Sequence, residues 1–117
     1  MTDPPVVEPA AVVRLRRLGG ANLVRQMLEL YLAQGPERIR SLLEGADAGK
    51  ADRVERSAHT LKSSAGNVGA LRLQQTAERL EAAAGAGIVD PVMVERLVHE
   101  YHESAAVLRG VLEEENL

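Results

Sequence analysis

One helix-forming stretch of the sequence carries the residues best suited to chemistry. His59 is followed three, four and seven residues later by Lys62, Ser63 and Gly66, and residues at these spacings share one face of an α-helix. At 100° per residue, His59 lies about 130° from the centre of the apolar stripe of the same helix. The sequence therefore predicts an imidazole on or near the solvent-facing side, with an ammonium group close by.

A neutral imidazole beside a cation is suited to accepting a phosphoryl group. Lys62 opposes protonation of His59, which keeps one ring nitrogen nucleophilic, and its ammonium group can stabilise the phosphoryl oxygens. The other ring nitrogen needs an acceptor that fixes the tautomer. Glu81 is the best candidate, because it follows the apolar stripe of its own helix as His59 does. Gln74 and Glu78 share that side and remain alternatives.

Gly66 adds an indication that a partner approaches this face. Glycine inside a helix is about 1 kcal/mol less favourable than alanine, and Gly66 lies about two turns from His59. A low spot beside an exposed histidine would let another protein come close. On these residues alone, a phosphoryl site competes with the more common explanation, which is an ordinary solvated helix face.

Helical periodicity extends over most of the chain, and no stretch alternates with the period of two that is typical of a half-buried strand. Five helical segments are predicted, over 9–18, 22–44, 51–68 and 71–84, and from Asp90-Pro91 to a fraying end near 113–115. Gly19-Gly20 ends the first segment, and Gly35-Pro36 predicts a kink or short break in the second. The predicted fold is all-α, an antiparallel up-down-up-down four-helix bundle with a short extra N-terminal helix. Residues 1–8 are expected to form a flexible segment before one domain over 9–117.

Composition excludes several classes of function. The chain has 117 residues, a net charge of −3 and no cysteine, so a disulfide scaffold, a thiolate metal site and a thiol nucleophile are excluded. It has no Phe, no Trp and two Tyr, which argues against a base-stacking surface and favours helices packed through small side chains. Four alanines line the predicted contact between the 51–68 and 71–84 segments: Ala58, Ala65, Ala77 and Ala84.

The sequence contains no targeting or membrane signal. Its acidic, proline-rich start does not match a signal peptide, and no apolar run approaches the roughly 20 residues needed to span a bilayer. A cytoplasmic protein is expected. The mild acidity also argues against nucleic acid as a partner, because nucleic-acid binding needs a basic surface.

Residues 58–70, which read AHTLKSSAGNVGA, resemble the signature of histidine-containing phosphotransfer (HPt) domains, roughly A-H-x-L-K-G-[SA]-[SA]-x-x-[LV]-G-[AL]. Leu73 and Leu80-Glu81 match the downstream part of that pattern, and Gly35-Pro36 resembles a proline common in the family's second helix. The resemblance covers residues 10–112 by layout, and its specific part is residues 58–81.

The resemblance implies a monomeric bundle that relays phosphate in multistep two-component signalling. His59 would take a phosphoryl group on Nε2 from a receiver-domain aspartate and pass it to another receiver. Lys62 would be the nearby cation, and Glu81 would match the Glu or Gln that holds the other ring nitrogen. Partners would be receiver domains of response regulators or of a hybrid sensor kinase.

The same resemblance implies a docking surface. Gly66 would leave the gap for the receiver, and Val12 and Leu15 would add apolar contact area from the first helix. Ser63 departs from the family, which often has glycine at that position. A serine is still small, and its hydroxyl could donate a hydrogen bond to the phosphoryl group.

Other hypotheses about the function of the chain remain open. The protein is expected to be a phosphoryl carrier rather than an enzyme, because no Gly-rich phosphate loop is present. No cofactor is expected, and Mg²⁺ would belong to the receiver. His99 and His102 fit a solvated face better than a metal site. The main alternative is a helical adaptor or inhibitor that binds a receiver or kinase through the same face without being phosphorylated. The amino-terminal domain of a chemotaxis-type kinase ranks lower, because no dimerisation or ATP-binding region follows.

Overall fold

The computed structural model describes residues 3–115, which form four helices and no strand. They are α1 (Pro9–Asp47), α2 (Ala51–Val68), α3 (Leu71–Gly85) and α4 (Pro91–Glu115). Each helix packs against two others in the cyclic order α1, α2, α3, α4. The predicted all-α four-helix bundle is confirmed. Within residues 3–115, no helix is both long and apolar enough to cross a membrane.

The predicted short first helix is present, but it is joined to the next one through a kink. Gly19 and Gly20 interrupt α1 with non-helical backbone angles, and Gly20 has φ +68°. Residues with a Cβ rarely adopt this left-handed region, so glycine is the residue suited to it. We call residues 9–18 the N-terminal arm; Ala11, Val12 and Leu15 of the arm are buried.

Of the kink or short break predicted at Gly35-Pro36, the break is absent. The helical backbone of α1 continues through both residues, and its only non-helical angles are at the Gly19-Gly20 kink. Gly35 faces Tyr101 of α4 so closely that a Cβ there would lie 2.0 Å from the tyrosine hydroxyl oxygen. We attribute the continuity to this packing, which supports the helix from one side where Pro36 removes a backbone hydrogen bond.

The core consists mainly of Leu, Val and Ala, and both tyrosines belong to it. The rings of Tyr31 and Tyr101 lie 5.4 Å apart between their centroids, tilted by 38°. Ser104 Oγ donates to the Tyr101 carbonyl at 2.7 Å, so the Tyr31 hydroxyl is left to donate to Ser104 Oγ at 2.7 Å. Burial raises the pKa of Tyr31 above its ordinary value. The sequence has no Phe or Trp, and its two tyrosines thus pack together between α1 and α4.

The chain before α1 packs against the α2–α3 turn. Glu8 N–H donates to the Gly69 carbonyl at 2.8 Å, and Arg72 N–H donates to the Pro5 carbonyl at 3.3 Å. Arg72 Nε also donates to the Pro4 carbonyl at 3.1 Å. The sequence predicted a flexible segment over residues 1–8 and did not predict these contacts. Residues 1 and 2 lie outside the described part of the chain.

Candidate functional site

His59, Lys62 and Glu81 meet on the surface between α2 and α3. The Nδ1 atom of His59 lies 2.6 Å from Glu81 Oε2, and Lys62 Nζ donates to Glu81 Oε1 at 2.6 Å. The His59 side chain is 61% exposed, whereas that of Glu81 is 21% exposed. One carboxylate therefore bridges the imidazole and the ammonium group and leaves the imidazole accessible from solvent.

The charges at this site favour one tautomer of His59. The hydrogen bond from Lys62 lowers the pKa of Glu81 most, and the contact with His59 lowers it further. The same bond to Glu81 raises the pKa of Lys62. Glu81 is therefore ionised at neutral pH and accepts a hydrogen bond from the N–H group at Nδ1. In neutral His59 the lone pair then lies on Nε2, which has no hydrogen-bond partner among residues 3–115.

Three contacts show how α2 and α3 bring these side chains together. The two helices run in opposite directions, so that Gly66 faces Gln74, His59 faces Glu81, and Glu55 faces Gly85. Beneath them lies what we call the α2–α3 seam, defined by four buried alanines: Ala58, Ala65, Ala77 and Ala84. Because an alanine side chain is a single methyl group, the two helices can pack closely, and Glu81 reaches across to His59.

The structure corrects the expectation that Gly66 leaves an open gap. A Cβ at Gly66 would lie 2.7 Å from Nε2 of Gln74, so the Gln74 amide covers this position. The obstacle is the far end of a flexible side chain, which can move aside. Ser63, the other small residue predicted on this face, is exposed.

Val12 and Leu15 do not lie where the resemblance places a docking surface. They are 7% and 9% exposed and belong to the hydrophobic core, because the N-terminal arm folds back onto the bundle. Four other large apolar residues of α1 are exposed, and Leu18 at 79% and Leu30 at 49% are the most exposed of them. Leu30 borders a small surface cavity with Ser64 of α2. The exposure of Leu30 could have been predicted from the sequence, since Leu30 lies off the stripe that contains the buried Leu28.

His99 and His102 are exposed residues of α4. Nε2 of His99 lies 3.6 Å from Glu103 Oε1, one turn further along the same helix. Across residues 3–115 no group of three or more His, Cys, Asp or Glu side chains is arranged to hold a metal ion.

Comparison with known proteins identifies one family and one fold. The family model for the Hpt domain matches residues 26–109. The crystal structure of histidine-containing phosphotransfer protein B from Pseudomonas aeruginosa PAO1 superimposes with a TM-score of 0.88, at 22% identity, covering 94% of this chain and 96% of that one. Comparison with curated protein sequences gives no match.

Proposed function

The chain belongs to the Hpt domain family and has that family's histidine phosphotransfer role, and on this basis we propose that His59 carries the phosphoryl group between receiver-domain aspartates. The observation that carries this proposal is the contact of 2.6 Å between His59 Nδ1 and Glu81, on a side chain that is 61% exposed. That contact leaves Nε2 both nucleophilic and accessible.

The transfer step follows from this tautomer. The lone pair of Nε2 attacks the phosphorus of the receiver's aspartyl phosphate, a P–N bond forms, and the P–O bond to the aspartate breaks. The aspartate leaves as a carboxylate. The imidazole ring becomes positively charged and keeps its proton on Nδ1, where the Glu81 carboxylate stabilises it. The reverse of the same step passes the phosphoryl group to a second receiver.

Glu81 and Lys62 act on this step from one side of the ring. Glu81 orients the imidazole and balances the charge that develops on it. Lys62 holds Glu81 in place and contributes a cation near the phosphoryl oxygens. The Mg²⁺ that phosphoryl transfer uses would be bound by the receiver. The chain therefore acts as a carrier that needs a partner for each transfer.

The receiver would dock on the surface around His59. Ser63, one turn after His59 on α2, is exposed, and the exposed Leu30 of α1, which lies beside Ser64 of α2, would add apolar contact area. Gln74 has to turn away from Gly66 if the partner is to approach as closely as the glycine would permit. Apolar side chains at the centre of such an interface contribute most to affinity.

A phosphotransfer assay tests this function. The protein is incubated with a receiver carrying labelled phosphate, and acid-labile, alkali-stable label on the protein is measured. Wild type and the control His102→Gln should both take up label, and His59→Gln should take up none. Labelling of His59→Gln would contradict the proposal. If no receiver of the source organism labels the wild type, and His59→Ala still binds its partner, the adaptor alternative is correct instead.

A further inference from the structure

A polar cleft between α1 and α2 is not explained by phosphotransfer. Its volume is about 380 Å³, which is at the lower end of the roughly 300–1,000 Å³ that small-molecule sites occupy. It is lined by three arginines and three hydroxyl side chains: Arg38, Arg53, Arg56, Ser41, Ser57 and Thr60. Thr60 follows His59 in sequence, but the cleft opens toward α1, whereas His59 contacts α3.

The walls of this cleft carry more arginines than carboxylates. Three guanidinium groups and the carboxylate of Glu37 line it, and two further carboxylates, those of Glu44 and Asp52, lie near two of these arginines. Arg38 is half-buried, and no ion pair or side-chain hydrogen bond links it to any other residue in the described range 3–115. A partly desolvated charge without a partner is unfavourable, so the Arg38 guanidinium is available to an anion that enters the cleft.

The other two arginines leave donors available. Arg53 donates to Glu44 at 2.7 Å through Nη2, and Arg56 approaches Asp52 only to 3.9 Å, with both side chains about three-quarters exposed. Guanidinium groups have five N–H donors. Each of these arginines can therefore turn further donors toward an anion in the cleft.

The hydroxyl groups give a second, independent indication of a polar ligand. Ser57 is 8% exposed, and its hydroxyl contacts only Ser41 Oγ, at 3.4 Å. That separation is longer than the usual 2.5–3.0 Å of an O–H···O hydrogen bond. Both serines lie at the boundary between α1 and α2, where an apolar side chain would pack without leaving a hydroxyl poorly satisfied.

We propose that this cleft binds a small anion with two or more phosphate groups, such as inorganic pyrophosphate or the phosphate chain of a nucleotide. Arginine forks match phosphate oxygens in pairs, and three of them exceed what one phosphate group needs. The concave shape and the buried Ser57 favour a small ligand over the flat surface of a partner protein. This binding is separate from the chemistry at His59.

Titration of the isotope-labelled protein with inorganic pyrophosphate tests the proposal, with amide chemical shifts as the readout at low ionic strength. Saturable shifts are expected around Ser41, Ser57 and Thr60, with a dissociation constant below about 1 mM. Arg38→Gln should weaken binding by about tenfold. The control Arg109→Gln, which removes an exposed arginine of α4, should bind as wild type does.

Further titrations distinguish a nucleotide from free pyrophosphate as the ligand. Tighter binding of ADP than of pyrophosphate would assign the site to a nucleotide, and equal binding would assign it to the phosphate chain alone. Equal affinity for sulfate, or no saturable shift with any of these anions, would overturn the proposal. It would also be overturned if Arg38→Gln slowed transfer from a receiver without changing pyrophosphate binding, because the cleft would then contact a protein.

Discussion

The contact between α2 and α3 and the contact between α1 and α4 are built from opposite kinds of residue. The α2–α3 seam consists of alanines, with His59 and Glu81 above it at the surface. The α1–α4 contact contains both tyrosines of the chain, whose rings are 5.4 Å apart and buried. The small side chains of the α2–α3 seam bring an imidazole and a carboxylate together, whereas the large side chains of the α1–α4 contact fill the core.

The difference separates function from stability within one bundle. Residues at the surface of the α2–α3 seam can change without leaving a cavity, because their side chains lie outside the hydrophobic core. Residues of the α1–α4 contact cannot, because interiors are packed at the density of crystals. We therefore expect substitutions in the α1–α4 contact to lower the free energy of unfolding, and substitutions at His59, Lys62 or Glu81 to slow phosphotransfer.

The largest effect is expected for Tyr101→Ala. Removing this ring, which is 1% exposed, leaves a cavity and should lower the free energy of unfolding by about 3–5 kcal/mol, measured by urea denaturation. The folded fraction should still accept label at His59. Tyr101→Phe is the matched control. Because the Tyr101 hydroxyl has no hydrogen-bond partner among the described residues, this variant should change stability by less than about 1 kcal/mol.

Ala77→Leu tests whether the α2–α3 seam must be narrow. Ala77 is fully buried, so three additional carbons should lower the free energy of unfolding by about 1–3 kcal/mol. They should also move α3 away from α2 and slow transfer, because Glu81 would no longer reach His59. The exposed Ala106→Leu in α4 should do neither. Transfer at the wild-type rate in folded Ala77→Leu would show that close packing here serves stability alone.

Glu81→Ala should slow transfer by about tenfold or more, because a charge-assisted hydrogen bond to the imidazole contributes about 1.5–3 kcal/mol. Thermal unfolding should change little. Glu81→Gln should slow transfer less, since its amide oxygen can still accept a hydrogen bond from the N–H group at Nδ1. Glu78→Ala is the control for the alternative acceptor considered from the sequence. A larger loss in Glu78→Ala than in Glu81→Ala would contradict the assignment.

Lys62→Ala should have the smallest effect, about a few-fold slower transfer, with Lys50→Ala as an exposed control. Because the hydrogen bond from Lys62 is the main reason that the pKa of Glu81 is lowered, its loss should raise that pKa. Glu81 would then lose its charge at a higher pH as the solution is acidified. The acid side of the transfer-rate profile should move to higher pH, and an unchanged profile would remove Lys62 from this role.

The bundle and the contact between His59 and Glu81 could be predicted from the sequence, because both depend on helical periodicity. The stripe through Ala58, Leu61 and Ala65 determines which face of α2 is buried, and His59 follows from it. The reach of Glu81 across the α2–α3 seam followed from the same reasoning applied to α3. These features depend on spacing within one helix and on the pairing of two neighbours.

Features that depend on contacts between distant residues were not predictable in this way. The helix continues through Gly35-Pro36 at the point where Tyr101, 66 residues later in the sequence, packs against Gly35. Val12 and Leu15 are buried because the kink at Gly20 turns the N-terminal arm onto the bundle. Gln74 covers Gly66 through a side-chain rotamer, which periodicity does not specify.

The most direct test of the account is nuclear magnetic resonance of the protein with ¹⁵N-labelled histidine, before and after phosphorylation by a receiver. Before phosphorylation, neutral His59 should carry its proton on Nδ1, because Glu81 accepts a hydrogen bond from that N–H group. After phosphorylation, ³¹P should couple to Nε2 of His59. Coupling of ³¹P to Nδ1, or to His99 or His102, would contradict the account.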